Sequence, residues 1–137
     1  LVPQQVSLIL TDLGSTIHLV TDPSILARAV KNKTEQQGMI NAHQRDGVAV
    51  INFLAWLDRE VRSRPISELE AADYILQERQ KQPDFREESF AIVSAAGAHG
   101  AIIHYQPTQA TNALIQLSML YLVDSGGHYH DGTTDVT

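Results

Sequence analysis

The chain holds 137 residues, 43% of them hydrophobic and 19% charged, and carries a formal net charge of −6. Those proportions exclude a disordered or collagen-like polypeptide, and an acidic excess with no basic cluster argues against nucleic acid as a partner. Cysteine is absent, which excludes disulfides and thiolate metal sites and fits a reducing compartment; any metal has to use oxygen or imidazole donors.

No stretch approaches the roughly 20 apolar residues of a spanning helix. The N-terminus shows no charged segment followed by an apolar core and a cleavage site, so no membrane partner is expected and the parent protein reads as cytoplasmic. The first residue is Leu1 rather than Met, as in a piece of a longer polypeptide.

Taken in order, residues 6–10 and 17–20 are short β-branched runs separated by the turn-rich Asp12, Leu13, Gly14 and Ser15, a pattern that predicts two strands. His18 alternates within the second run and reads as a half-exposed strand residue, since no partner lies at ligand spacing. Asp22 followed by Pro23 offers a capping acceptor and a ring preset at helical φ, predicting a short helix over 23–30. Lys31, Asn32 and Lys33 interrupt it. Thr34 with Gln37 then has the spacing of a capping box, from which a long amphipathic helix is expected.

Within that helix Ile40, Gly47, Val50, Ile51, Leu54, Leu57 and Val61 recur at three and four residues and predict the buried stripe, with Gln36, Arg45, Asp46, Arg59 and Arg62 facing water. His43 has no acid or second histidine one turn away and reads as boundary packing. Trp56 falls off the stripe, where it would cover a helix edge or anchor a subunit contact.

Pro65 closes this helix. Ser67 with Glu70 forms a second capping box, opening a shorter helix with Leu69, Ala72, Ile75 and Leu76 buried and an end by Pro83. The alternating charges Glu78, Arg79, Lys81, Asp84, Arg86, Glu87 and Glu88 read as a solvated face or loop. From Ser89 the period becomes that of strands: 89–95 and 101–105 joined by the small-residue turn 96–100, then 119–124 and about 128–136 after a loop containing Pro107. Helices followed by four strands imply an α+β fold, with helices on one face of a mostly antiparallel sheet.

The chemistry concentrates at the end of the chain, LYLVDSGGHYHDGTTDVT. An apolar strand runs into Asp124, a Ser-Gly-Gly turn follows, and a second strand closes on Asp135. Paired carboxylates on short strands are hard oxygen donors suited to Mg²⁺, Ca²⁺ or Mn²⁺. Asp after a strand, or in an Asp-Gly turn, is equally an ordinary turn residue whose side chain bonds nearby amides. Spacing alone leaves both readings open.

The run DSGGHYHDGTTDVT resembles the signature of the creatinase and methionine-aminopeptidase superfamily, the pita-bread metallopeptidases, and most closely its aminopeptidase P (Xaa-Pro aminopeptidase) branch. AVKNKTEQQGMINAHQRDGVA is similar to that family's run of Lys-Asn, Glu, Gly-Met and a later Ala-His before Asp. SFAIVSAAGAHGAIIHY resembles the strand pair that carries the family's active-site histidine in an Ile-His-Tyr context. The resemblance covers 22–137, with residues 1–21 as the end of a preceding non-catalytic domain or a linker.

What the resemblance implies is the N-terminal half of a pita-bread catalytic domain. Asp124 and Asp135 would bind a dinuclear centre of two divalent ions, with manganese the expected metal. His104 would be the catalytic histidine beside the substrate carbonyl, and Asp131 would shape the turn without ligating. The implied substrate is a peptide with proline at the second position, hydrolysed to release its N-terminal residue; the implied assembly is a homodimer.

The chain departs from the family pattern beside the site. Ala98 and His99 stand where Pro-Asn is usual, and Gly127, His128 and His130 replace the commoner Ala, Gln and Lys; His99, His128 and His130 are expected to be solvated turn histidines. The family centre also draws one histidine and two glutamates from a later half of the domain, so this polypeptide by itself is expected to be inactive and to bind metal weakly or not at all. A metal-free pita-bread module that binds peptides or proteins is the alternative of another class. Prolidase and creatinase are the neighbouring enzyme alternatives, and the Asp-Gly-Thr-Thr-Asp run favours aminopeptidase P over both.

Overall fold

The computed structural model describes residues 2–137; Leu1, the first residue of the segment expected to be the end of a preceding domain or a linker, lies outside them. After Lys31 the chain divides into two compact units. The first carries helices α1 (Gln4–Asp12) and α2 (Ser24–Ala29).

The run 6–10, expected as a strand, is therefore helical, and 17–20 has no regular structure. The ends of α1 explain the difference. The Pro3 carbonyl accepts the Val6 N–H at 3.0 Å, while Ser15 N–H reaches Leu10 O and Gly14 N–H reaches Thr11 O, both at 2.9 Å. Gly14, at φ +80°, closes this Schellman arrangement, which needs a left-handed residue. The glycine that reads as a strand-to-strand turn is a helix terminator. At α2 the expected acceptor is present: Asp22 Oδ1 receives the Ser24 N–H at 2.8 Å.

The second unit opens with α3 (Lys33–Glu60). Its capping box is Asn32 with Glu35, each side chain bonded to the other's backbone N–H at 2.9 and 2.8 Å, and not Thr34 with Gln37. The buried face is Gly38, Ala42, Asp46, Ala49, Phe53 and Trp56. Of the expected stripe, Ile40, Ile51 and Leu54 point outward, at 51%, 66% and 49% exposure. Trp56 is buried and stacks on Tyr74 with ring centroids 3.9 Å apart, so it is a core residue and not a surface anchor.

Strand β1 (Ile66–Ser67) leads into α4 (Glu68–Gln80), where Ser67 Oγ accepts the Glu70 N–H at 3.1 Å as the spacing predicts. The inner face of α4 is Glu68, Ala71, Ile75, Glu78 and Arg79, while Leu69, Ala72 and Leu76 are half-buried. The charge run read as solvated thus begins inside the protein. Phe53, Trp56, Ile66, Ala71, Ile75, Ile92, Ala96 and Ile115 make one core between α3, α4 and the strands.

The remaining strands are β2 (Phe85–Glu88), β3 (Val93–Ala96), β4 (Leu114–Ile115), β5 (Tyr121–Asp124) and β6 (Gly127–Tyr129). They pair antiparallel as β1 with β4, β2 with β6 and β3 with β5. The class is α+β as expected, but three two-stranded ladders replace the single four-stranded sheet. Residues 101–105, expected as a strand, instead leave a 3-10 turn (Gly97–Ala101) as an irregular loop. Ile102 and Ile103 are 53% and 85% exposed; β propensity reflects fit to a half-buried pleated surface, and none covers them here.

Candidate functional site

The segment from β5 to the end of the chain is extended almost throughout, and its turn lies at 129–132, where Tyr129 N–H bonds Gly132 O at 2.8 Å. The expected Ser-Gly-Gly turn is not a turn. It is the point where the chain passes from the ladder with β3 to the ladder with β2, Val93 facing Asp124 and Glu88 facing Gly127. Glycine is required there for closeness: a Cβ on Gly126 would lie 1.9 Å from Thr134 O and 2.4 Å from Ser89 Oγ.

Ser125 and Val136 form a reciprocal antiparallel bridge, with both N–H to O distances 3.0 Å. Asp124 and Asp135 each immediately precede one member of this pair. Since successive side chains of an extended chain alternate sides, both aspartates fall on the face opposite Ser125 and Val136, and so on the same face as each other. Asp135 is exposed and Asp124 half-buried. Asp124 Oδ1 is buried without a hydrogen-bond partner. An orphaned carboxylate oxygen in a hairpin is costly unless something meets it, and a divalent cation is the partner that suits an unprotonated one. Among the described residues, no group of three or more histidine, cysteine or acidic side chains could hold an ion, so the residues present fit part of a coordination shell. Beside this end of the hairpin lies an open apolar cleft of about 560 Å³, walled by Gly97, Gly100, Leu120, Leu122, Val123 and Thr137.

His104 lies on a different segment, the loop between the 3-10 turn and β4. Its side chain is exposed and its φ is +57°, a left-handed conformation that costs a non-glycine residue about 1–2 kcal/mol. No hydrogen bond or ion pair among the described residues joins it to either aspartate. Tyr105, the next residue, is buried.

Two buried clusters that the sequence reading missed hold these pieces. In the first, Asp46 of α3 receives Arg79 Nε at 2.7 Å, Arg79 Nη2 at 3.2 Å and the Tyr129 hydroxyl at 3.0 Å. Asp46 and Arg79 were expected in water and are instead almost completely enclosed. Burial, with the Asp46 charge beside it, pushes the Tyr129 hydroxyl up, so it remains a donor. Around it the Phe85 ring packs edge-on at 5.7 Å and the Arg45 guanidinium lies 5.2 Å from the ring centre. Arg45 also pairs with Asp131, which sits in the turn as expected. Burial raises the Asp131 carboxyl, but Arg45 and Asn41 outweigh it and the net effect is a lowering.

In the second cluster Glu68, fully buried, accepts from Ala96 N–H, His99 Nδ1, Tyr105 Oη and Ala113 N–H at 2.7 to 3.0 Å. Burial raises this carboxyl most, yet the Ala113 and Ala96 amides, His99 and Tyr105 together hold it below the usual glutamate value. The Tyr121 hydroxyl nearby is pushed up to about 12 by burial; its bond with Ser94 opposes the rise and the Glu68 charge adds to it. His99 is consequently not the solvated histidine its turn position suggests. His128 is half-buried and bonds Thr133 Oγ1 at 2.9 Å, while His130 is exposed. A glutamate at the first position of a capped helix gives no sign in sequence that it will point inward.

The chain is similar in sequence and in fold to known proteins. Residues 37–137 match the model of metallopeptidase family M24. The chain is 49% identical over 121 residues to Xaa-Pro aminopeptidase 1 of Dictyostelium discoideum, covering 85% of this chain and 19% of that protein. Among solved structures it superposes with TM-score 0.81 and 42% identity on the X-prolyl aminopeptidase of Caenorhabditis elegans, described as a cytosolic enzyme with a di-nuclear active site, over 85% of this chain and 19% of that one. The X-Pro aminopeptidase of Thermotoga maritima, 17% identical with TM-score 0.71 over 98% of this chain and 35% of that one, shares the fold. The chain belongs to metallopeptidase family M24 and has the α+β fold of part of a pita-bread domain. It spans about a fifth of the length of the curated relative and of the Caenorhabditis structure.

Proposed function

We propose that this chain supplies the first part of the active site of a dinuclear Xaa-Pro aminopeptidase, a hydrolase that releases the residue preceding proline from the N-terminus of a peptide. The observation that carries the proposal is the unpartnered, buried Oδ1 of Asp124 on the same face of one hairpin as Asp135. Those two carboxylates would hold divalent ions, manganese being the metal we expect, and the remaining donors would come from polypeptide beyond Thr137. When bound, such ions polarise a scissile carbonyl and lower the pKa of water.

The chain's own residues then divide the remaining work. Asp124, fixed opposite Val93 in the ladder, is the rigid donor, and Asp135 on the returning strand is the accessible one. His104 presents an exposed ring from a constrained backbone and would donate a hydrogen bond to the substrate carbonyl oxygen as negative charge develops there. We place the enzyme in the cytoplasm and allow a homodimer as its assembly. The chain alone would be inactive.

The test is Mn²⁺-dependent release of the first residue from an Xaa-Pro peptide by the full-length protein. Asp124→Asn should lose both bound metal and turnover, and His104→Ala should lower kcat by about 100-fold or more with metal retained. Equal rates for wild type and Asp124→Asn would refute the assigned ligand. The rival reading that the same test decides is a metal-independent peptide-binding module. It predicts Xaa-Pro peptide binding that survives chelation, without hydrolysis.

A further inference from the structure

We infer that Glu68 is the positioning residue of the His104 loop: one buried carboxylate ties both ends and two interior side chains of residues 96–113 to the start of α4, fixing the backbone that presents His104. The inference rests on the proposed role of His104.

The connections reach both ends and the middle of the loop. Glu68 Oε1 receives the Ala96 N–H at 2.7 Å, where β3 ends, and His99 Nδ1 at 2.8 Å. Its Oε2 receives the Tyr105 hydroxyl at 2.9 Å and the Ala113 N–H at 3.0 Å, just before β4. The backbone repeats the grip at the far end, with Glu68 N–H bonded to Ala113 O at 3.0 Å and Leu69 N–H to Asn112 Oδ1 at 3.1 Å. The His99 and Tyr105 rings stack at 4.3 Å, so the interior contacts reinforce each other.

His104 needs this support because it has little of its own. Its ring makes no hydrogen bond among the described residues, its φ is +57°, and residues 102–113 contain no strand. A conformation of that kind persists only where the surroundings over-determine it. The nearest fixed point is Tyr105, whose hydroxyl is shared between Glu68 Oε2 at 2.9 Å and Thr111 O at 3.2 Å. A buried carboxylate with four donors is also hard to replace. Glutamine would aim an NH₂ group at donors already present, and aspartate is one methylene too short to reach all four.

The test uses the full-length protein with Glu68→Gln, Glu68→Asp and Tyr105→Phe, the last removing one donor without removing the carboxylate. For each, kcat and KM on an Xaa-Pro peptide, bound metal, melting temperature and residue-resolved amide exchange are measured. Glu68→Gln is expected to lower kcat by about 10- to 100-fold, the effect of displacing a catalytic group by about an ångström, with KM and metal content little changed. Exchange should accelerate across 97–112 while α3 stays protected. Glu68→Asp should recover part of the loss, and Tyr105→Phe should show a smaller loss of the same kind. A lower melting temperature with unchanged kcat, or unchanged exchange across 97–112, overturns the inference. If Glu68→Gln does not fold, Tyr105→Phe carries the same two readouts. If the wild type has no peptidase activity, the proposed function fails, and the exchange measurement still decides whether Glu68 holds the loop.

Discussion

The Tyr129 hydroxyl donates to Asp46 Oδ1 at 3.0 Å across 83 positions of sequence, and this bond seats the aspartate-bearing hairpin on α3. Replacing Tyr129 with Phe keeps the packing against Phe85 and Arg45 and removes only the hydrogen bond to a charged acceptor. We expect a loss of about 1.5–3 kcal/mol, read as a lower midpoint in urea denaturation at constant m-value.

Arg79 and Asp46 are both enclosed, and Arg79 Nη1 has no partner. Arg79→Met strands the Asp46 charge in the interior, with only the Tyr129 hydroxyl left to meet it, and should cost about 3–5 kcal/mol. Asp46→Leu combined with Arg79→Met removes both charges and should be less damaging than Arg79→Met alone. A double-mutant cycle in chemical denaturation measures the difference; strictly additive losses would contradict the pairing.

Two glycines of α3 should respond to alanine with opposite signs. A Cβ on Gly38 would lie 2.1 Å from the Asp131 carbonyl oxygen, whereas a Cβ on Gly47 meets nothing within 4 Å. Gly38→Ala pushes the hairpin turn off the helix and should destabilise by about 1–3 kcal/mol. Gly47→Ala should stabilise by about 0.5–1 kcal/mol through helix propensity alone. Thermal melts of the two variants side by side check the contrast.

The Glu68 carboxyl is lowered from its ordinary value of 4.5 in the folded protein. A lowered acid favours the fold where it is ionised in both states, above about pH 4.5, and loses that contribution as pH falls from there through the folded value. Wild-type stability should therefore decline steeply with acidification below pH 4.5. In Glu68→Gln the decline should be shallower, together with a lower plateau at neutral pH. Parallel curves for the two proteins would show that Glu68 does not titrate with folding.

Local chemistry was legible in the sequence. Ser67 caps α4 and Asp22 accepts the Ser24 N–H at the start of α2, because each acts on a residue two or three positions away and its partner is fixed by spacing. The motif spelling DSGGHYHDGTTDVT pointed to the family for the same reason: a contiguous string carries its own register. The face of α3 was not legible. Apolar periodicity selected Ile40, Ile51 and Leu54, while the face turned inward is Gly38, Ala42, Asp46 and Ala49 alongside Phe53 and Trp56. Small residues let the hairpin backbone approach, and a charged residue there is tolerated only because Arg79 and Tyr129 come to meet it.

The sequence by itself determined where α4 begins, which segment carries the carboxylates and which family the chain belongs to, since these depend on neighbours along the chain. Only the tertiary structure decided that Asp124 and Asp135 share a face, that Gly126 serves close approach and not a turn, and that Glu68 and Asp46 are interior charges. Burying a carboxylate becomes tolerable once donors from distant segments converge on it, and that convergence exists only in the folded chain.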